Sequence, residues 1–180
     1  MLAFDLETLG PDITLHDVTC AAVYDPDHGI ERYFIFRPPR DDPEDFMRLL
    51  DRADRLCAFN GARFDIPLIE RCFKAAPARV REWRLKLHDV FETCKLALDI
   101  TFPLQALLEL NNIPGKTGSG ADAVHLALNG RLQELGEYCL NDTKRTHQVS
   151  SLSTILLPKT RNIVMDPRGR FYSDLLQFHD

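Results

Sequence analysis

Three β-rich runs fill the first 37 residues of the chain, and their close spacing is the feature that most constrains its fold. The runs read AFDLETLG, HDVTCAAVYDP and IERYFIFRP, and the turn cluster DPDHG joins the last two. Runs rich in β-branched and aromatic residues are typical of strands, and clusters of Gly, Pro and Asp are typical of turns. We therefore predict a three-stranded meander over residues 1–37.

The remainder of the chain alternates strand and helix patterns and ends in helices. DDPEDFMRLLDRAD favours an amphipathic helix, LCAFNG a short buried strand, and FDIPLIERCFKAA a helix with Pro67 in its first turn. Residues 87–91 favour a fifth strand, although the surrounding segment is also compatible with a helix. Later helices are predicted over residues 102–115, 119–130 and 131–152. Early strands and late helices indicate an α/β or α+β sheet covered by helices.

Length and composition fit a single globular domain. Of 180 residues, 44% are hydrophobic and 27% are charged, which suffices for a sizeable core. We predict a main domain over residues 1–155 and a C-terminal extension, residues 156–180, packed on the same domain. The five cysteines are scattered and lack C-x-x-C spacing, which favours reduced thiols over a zinc site or a disulfide framework.

Charge and hydropathy narrow the classes of function. A net charge of -5 argues against a protein that coats nucleic acid, but not against an enzyme that grips a few nucleotides. The basic stretch 71–86 is a candidate contact for a phosphate backbone, or a solvated surface. With no apolar run of membrane-spanning length and no leader before the first strand, we expect a cytoplasmic or nuclear protein with no signal peptide and no membrane partner.

Four carboxylates and a tyrosine occupy positions from which strands and helices could present them to one site. Asp5 and Glu7 occupy alternate positions of the first strand, so both point to one face, where a divalent cation would relieve their repulsion. Asp65 lies at a strand-to-helix transition, a position suited to presenting a carboxylate at a sheet edge. Tyr138 and Asp142 share one face of the last helix.

Each of these features also has a simpler interpretation. The two acids of the first strand could belong to an exposed strand face. Asp65 could cap the helix that follows it. Tyr138 could be half-buried beside a solvated Asp142. The residues alone leave these alternatives open.

In order and spacing, the motifs resemble the tyrosine branch of the DEDD superfamily of 3'→5' exonucleases. The resemblance rests on D-x-E at residues 5–7, N-x3-F-D at residues 60–65 and Y-x3-D at residues 138–142. The histidine branch of the superfamily would need His at the position of Glu137. The match extends over residues 1 to about 150 and implies a ribonuclease H-like α/β fold, with a mixed five-stranded sheet and helices on both faces.

The resemblance implies two-metal-ion hydrolysis. Two divalent cations, Mg²⁺ or Mn²⁺, would be held by the four acids, with Asp5 bridging both. Glu7 and Asp142 would complete the first metal site, and Asp65 would hold the second cation directly or through water. Tyr138 would orient the attacking water.

The resemblance also implies substrate contacts around the acids. Thr8 and Leu9 would touch the terminal nucleotide, and Asn60 and Phe64 would contact sugar or base. Turn geometry for Asn60 and core packing for Phe64 are the alternatives. Lys116 is a candidate to approach a substrate phosphate from a loop.

Together these features predict an enzyme that releases nucleoside 5'-monophosphates from the 3' end of single-stranded DNA, with RNA as a second candidate substrate. An RNA-trimming 3'→5' exoribonuclease is one alternative. The other is an inactive ribonuclease H-like binding module of a polymerase or repair complex, and such a complex is also a candidate partner of an active enzyme.

Overall fold

A five-stranded mixed sheet lies at the centre of the protein. Its strands are β1 Leu2–Thr8, β2 Val18–Asp25, β3 Ile30–Ile35, β4 Leu56–Ala58 and β5 Leu87–Asp89. In space they run β3-β2-β1-β4-β5. The β1–β2 and β2–β3 pairs are antiparallel, whereas β4 pairs in parallel with both β1 and β5. The meander predicted at the start of the chain is confirmed, and β1 becomes the central strand.

Helices surround this sheet. The computed structural model describes residues 1–38, 40–115, 118–160, 163–166 and 171–173. Its described α-helices are α1 Pro43–Arg52, α2 Asp65–Phe73, α3 Pro77–Lys86, α4 Val90–Leu98, α5 Leu104–Leu110, α6 Gly120–Leu128 and α7 Leu132–Ser150. None of these helices is both long and apolar enough to cross a lipid bilayer.

Side chains of β2 alternate between two apolar clusters, one on each face of the sheet. Ala21 packs in a cluster with Phe46 of α1 and Trp83 of α3. Its neighbour Cys20 packs in another cluster with Leu135 of α7. Because successive residues of a strand point to opposite faces, the helices lie on both faces of the sheet. The predicted mixed five-stranded sheet with helical cover on both faces is confirmed.

The segment predicted as one helix from residue 64 to 76 ends earlier and is followed by a helix that the sequence pattern did not separate. α2 ends at Phe73 because Lys74 adopts a left-handed conformation with φ 55. Ala76 is extended, as a residue before proline tends to be, and Pro77 occupies the first turn of α3. The basic stretch 71–86 is therefore mostly helical.

The fifth strand is shorter than predicted because a helix begins inside the predicted range. β5 ends at Asp89, whose side chain accepts a hydrogen bond from the backbone N–H of Glu92 and caps α4. A carboxylate at this position therefore ends the strand and starts the helix.

A second sheet of three antiparallel strands follows α7. These strands are β6 Ile155–Leu156, β7 Ile163–Met165 and β8 Phe171–Ser173. Ile155, Leu157 and Met165 pack in an apolar cluster with residues of α4 and α5. This contact holds β6 and β7 against the helices beside the main sheet, while the division at residue 155 stays a prediction.

All five cysteines are free, as predicted. Cys20, Cys57, Cys94 and Cys139 are buried, and Cys72 is half-buried. Burial raises the pKa of the Cys57 thiol to about 12, which keeps that thiol protonated at neutral pH.

Candidate active site

Asp5 and Glu7 lie on the face of β1 that packs against α7. Leu6, between them, belongs to the apolar cluster on the opposite face. The Sγ atom of Cys139 on α7 lies 3.5 Å from the backbone oxygen of Asp5 and 3.9 Å from its Oδ2 atom. A carboxylate oxygen of each acid and this Sγ atom lie within 4.8 Å of one another. The two acids are half-buried under a helix, so they do not form an exposed strand face.

Asp65 is the first residue of α2 and is only 2% exposed. Burial, followed by the negative charges of Asp5 and Asp89, raises the pKa of its carboxyl group well above the ordinary value, against an opposing hydrogen bond from the backbone of Leu6. The N-cap position of α2 belongs to Phe64, so Asp65 is not the helix cap. Its carboxyl group instead faces the acids of β1.

Tyr138 and Asp142 are both buried on α7, and Asp142 is 2% exposed. Burial raises the pKa of Tyr138, and the charges of Asp142, Glu7 and Asp5 and a hydrogen bond to Asp142 raise it further. The phenol therefore stays protonated at neutral pH and can donate a hydrogen bond. The interpretation of Asp142 as a solvated acid is excluded by its burial.

The structure thus brings the five predicted residues of the active site into one acidic centre. Several buried carboxylates in one place repel one another unless cations or protons neutralise them. Among the described residues, Oδ1 of Asp65 has no hydrogen-bond partner, which leaves it available as a ligand atom. Carboxylate oxygens are the donors that Mg²⁺ and Mn²⁺ prefer, so these residues fit a divalent cation site.

A cleft of about 590 Å³ opens beside this acidic centre. The predicted substrate contacts Thr8, Leu9 and Phe64 line it together with Glu7. The opposite wall comes from the first turns of α6, which the sequence analysis did not assign to the site. The residues of that wall are Gly120, Ala121 and Val124.

Two other predicted substrate contacts, Asn60 and Lys116, are not among the described residues that line this cleft. Asn60 adopts a left-handed conformation with φ 64 in the turn before α2. Turn geometry is therefore a sufficient account of Asn60. Lys116 lies outside the described residues.

Asp89 is a buried carboxylate near the site that the sequence analysis assigned only to a strand. Its Oδ1 atom accepts a hydrogen bond from the backbone N–H of Asn60 at 3.0 Å, and its Oδ2 atom accepts one from Ala62 at 2.9 Å. Burial raises the pKa of the Asp89 carboxyl group, while these backbone hydrogen bonds and the one from Glu92 oppose the rise. The available signal was a charged residue inside the strand predicted over residues 87–91. The backbone groups of Asn60 and Ala62 that Asp89 binds, however, lie almost 30 positions away in sequence.

Comparisons with known proteins agree with the geometry. The model of the RNase H superfamily matches residues 2–109. The chain belongs to the RNase H superfamily. The matched segment contains β1, β4, α2 and β5 and thus Asp5, Glu7, Asp65 and Asp89, so the predicted ribonuclease H-like fold is confirmed.

Solved structures with low sequence identity share the fold of this RNase H superfamily protein. The family B DNA polymerase from the hyperthermophilic archaeon Pyrobaculum calidifontis is 19% identical with a TM-score of 0.65, over 83% of this chain and 24% of the polymerase. Exonuclease I in complex with the inhibitor BCBP is 15% identical with a TM-score of 0.50, over 92% of this chain and 55% of exonuclease I. The chain thus spans about a quarter and about half of these proteins. No curated protein sequence matches it.

The superfamily match ends before α7. Tyr138 and Asp142 therefore lie outside the matched segment, and the assignment of this RNase H superfamily protein to the tyrosine branch stays a prediction. Geometry supports that prediction, since the two residues share one face of α7 and both are buried beside the acids of β1.

Most cations of the basic stretch have partners within this RNase H superfamily protein. Arg79 binds the carboxylates of Glu44 and Asp51. Lys86 donates to the backbone oxygens of Asp51 and Ala53, at 2.8 and 2.7 Å. Arg84 donates to the backbone oxygen of Ala62 at 3.0 Å. These contacts hold α3 to its neighbours, so the stretch contributes to packing as well as to surface charge.

Proposed function

We propose that this RNase H superfamily protein is a divalent-metal-dependent 3'→5' exonuclease of the tyrosine branch of the DEDD group. The observation that carries the proposal is the convergence of four carboxylates and one buried tyrosine beside a cleft large enough for a terminal nucleotide. The substrate is a single-stranded 3' end of DNA, with RNA as the second substrate to test.

The reaction is hydrolysis of the last phosphodiester bond. Water attacks the phosphorus atom, the bond to the 3' oxygen of the preceding nucleotide breaks, and that oxygen takes up a proton. The products are a nucleoside 5'-monophosphate and a shortened strand. Two bound Mg²⁺ or Mn²⁺ ions would supply charge neutralisation and acidification of the attacking water. Asp5, Glu7 and Asp142 would hold one ion, and Asp65, with Asp5, the other.

Tyr138 orients the attacking water in this proposal. Its raised pKa keeps the hydroxyl group protonated, so it acts as a hydrogen-bond donor and not as the base. Its position four residues before Asp142 on α7 keeps the hydroxyl group beside the same acids that would hold the cations.

The cleft accounts for the proposed position of the terminal nucleotide. Its walls are mainly apolar and include the aromatic ring of Phe64. An apolar or aromatic surface contacts any base without reading its identity, which suits an enzyme that removes nucleotides one after another. Glu7 lines the same cleft, which supports a binding mode in which the scissile phosphate lies next to the acidic centre.

The first test is a time course on 5'-labelled single-stranded DNA and RNA of one sequence, with Mn²⁺, Mg²⁺ or EDTA. We expect a ladder of shortening products that EDTA abolishes. Asp142→Asn should slow the reaction by about 100-fold or more, because losing a direct ligand costs at least as much as losing an outer partner of a metal site. The matched control is Glu137→Gln, the same acid-to-amide change at an exposed position of the same helix.

Each result of this experiment has a distinct meaning. Cleavage of RNA much faster than DNA would identify an exoribonuclease. Intact label in a folded wild-type protein would reject the enzyme and favour a binding module. Equal activity of the Asp142→Asn and wild-type proteins would remove Asp142 from the proposed site.

A further inference from the structure

The turn between β4 and α2, residues 59–64, carries Asp65 at its end. Asn60 holds a positive φ of 64, a conformation that is uncommon outside glycine but that Asn adopts more readily than most residues. The turn continues directly into the helix, since the backbone N–H of Ile66 donates to the oxygen of Gly61 at 2.9 Å. The position of this turn therefore sets the position of the Asp65 side chain.

Contact between the turn and the carboxylate is close. A Cβ atom added at Gly61 would lie 3.3 Å from Oδ2 of Asp65 and 2.5 Å from Cβ of Ala58. Any residue larger than glycine at position 61 would therefore require these neighbouring atoms to move. Glycine at this position lets the turn lie close to the Asp65 carboxylate, with no space for a side chain between them.

Asp89 fixes this turn from the buried side. Both oxygens of its carboxylate accept backbone hydrogen bonds from the turn, from Asn60 at 3.0 Å and from Ala62 at 2.9 Å. The oxygen that binds Asn60 also accepts the N–H of Glu92 at 3.1 Å. Asp89 is 5% exposed, so these charge-assisted bonds form away from bulk water.

A second, exposed set of contacts holds the same turn from outside. The guanidinium group of Arg63 pairs with the carboxylate of Glu92. Nη1 of Arg84 donates to the backbone oxygen of Ala62 at 3.0 Å. Exposed ion pairs contribute little to stability, so the buried carboxylate provides the stronger restraint.

We infer that Asp89 is a positioning residue that holds the β4–α2 turn so that the Asp65 carboxylate keeps the orientation needed to bind a divalent cation. The inference rests on the proposed function, which supplies the cation. Besides the negative charge that it places near Asp65, Asp89 acts through the backbone of the turn, and it does not bind the cation itself. The site is thus completed by a fifth carboxylate, a buried one, that contributes geometry instead of a ligand.

The test compares Asp89→Asn with Arg63→Gln. Asn is nearly isosteric, but one of its two terminal atoms is an NH₂ group that cannot accept a backbone hydrogen bond. Arg63→Gln removes only the exposed contact. Mn²⁺ binding is measured by electron paramagnetic resonance of the free ion, which needs no catalysis. We expect Asp89→Asn to weaken the binding of the less tightly held of the two Mn²⁺ ions by about 10-fold or more. The Arg63→Gln protein should bind Mn²⁺ like the wild type.

Activity provides the second readout. For Asp89→Asn the Mn²⁺ concentration that gives half the maximal rate should rise in parallel with the dissociation constant. A purely structural role would lower the melting temperature equally with and without Mn²⁺. A positioning role would also reduce the increase in melting temperature that Mn²⁺ produces.

Two results would overturn the inference. One is a folded Asp89→Asn protein that binds Mn²⁺ as the wild type does. The other is that neither Asp89→Asn nor Asp89→Ser gives a protein that unfolds cooperatively, because Asp89 would then be purely structural. Asp89→Ser is included because its smaller side chain admits water to the backbone N–H groups of Asn60 and Ala62. If the wild-type protein binds Mn²⁺ but cleaves no nucleic acid, the proposed function is wrong. The positioning role of Asp89 is then decided by the Mn²⁺ binding of the two variants.

Discussion

The buried carboxyl group of Asp65 opposes folding at neutral pH. Its pKa is raised first by burial and then by the charges of Asp5 and Asp89. A carboxyl group whose pKa is higher in the folded than in the unfolded state destabilises the fold as pH rises, because the unfolded chain releases the proton first. Without a divalent cation, burial of the Asp65 carboxyl group therefore lowers stability at neutral pH, where the unfolded chain carries this group ionised.

We predict that Asp65→Asn raises the melting temperature of the protein in EDTA at pH 7, while it abolishes metal-dependent cleavage. The stability difference between variant and wild type should shrink as pH falls toward the ordinary Asp pKa of about 3.9, because Asp65 is then protonated in the folded state and increasingly protonated in the unfolded state. Thermal unfolding in EDTA between pH 4 and pH 8 measures this, with the exposed Glu137→Gln as control. A variant less stable than wild type at pH 7 would contradict the electrostatic account.

Helix α6 supplies the wall of the cleft that faces β1. Val124 lines the cleft and is half-buried, whereas Leu128, one turn later on the same helix, is 66% exposed and lies outside it. A side chain that only provides apolar contact to the substrate should affect the ground state and the transition state equally.

We predict that Val124→Ala raises KM for a single-stranded oligonucleotide about fivefold and leaves kcat nearly unchanged. The removed methyl groups are worth about 1 kcal/mol of apolar contact. Leu128→Ala makes a similar truncation on the same helix and should leave both constants at wild-type values. A fall in kcat for Val124→Ala with constant KM would place α6 in catalysis and not in substrate binding.

The elements also show which parts of the protein the sequence could predict. Two local patterns were readable in the sequence: the alternation of a strand at Asp5 and Glu7, and the helical spacing of Tyr138 and Asp142. The structure brings these residues together. Asp89 and the wall from α6 carry no such pattern, because their roles depend on which turn or strand lies opposite them. The break between α2 and α3 was visible in Pro77, but its position depends on the left-handed Lys74.

The order of the strands in the sheet explains why residues that are distant in sequence meet at one place. β1, β4 and β5 are parallel neighbours, and their carboxyl ends lie at one edge of the sheet. Glu7 lies near the end of β1, Asp65 follows β4, and Asp89 ends β5. Ligand sites of open α/β sheets form at such edges, and α7 crosses the sheet to add Tyr138 and Asp142.

The same architecture predicts a preference for unpaired 3' ends. The cleft of about 590 Å³ lies between the end of β1, Phe64 at the start of α2 and the first turns of α6, and in the proposed binding mode it holds one unpaired terminal nucleotide. A blunt duplex must therefore unpair and unstack its last nucleotide before reaction. One stacking step costs about 1.4 kcal/mol, which corresponds to about a tenfold lower rate.

We expect the rate of nucleotide release to decrease in the order single strand, duplex with a 3'-terminal mismatch, blunt duplex. The mismatch is the matched control, because it adds the same second strand and the same charge without the terminal pair. The rates are measured with one 5'-labelled strand in all three substrates at saturating Mn²⁺. Equal rates on single-stranded and blunt ends would show that the protein opens the duplex itself or binds it outside the cleft, and the position of the nucleotide in the cleft would then be wrong.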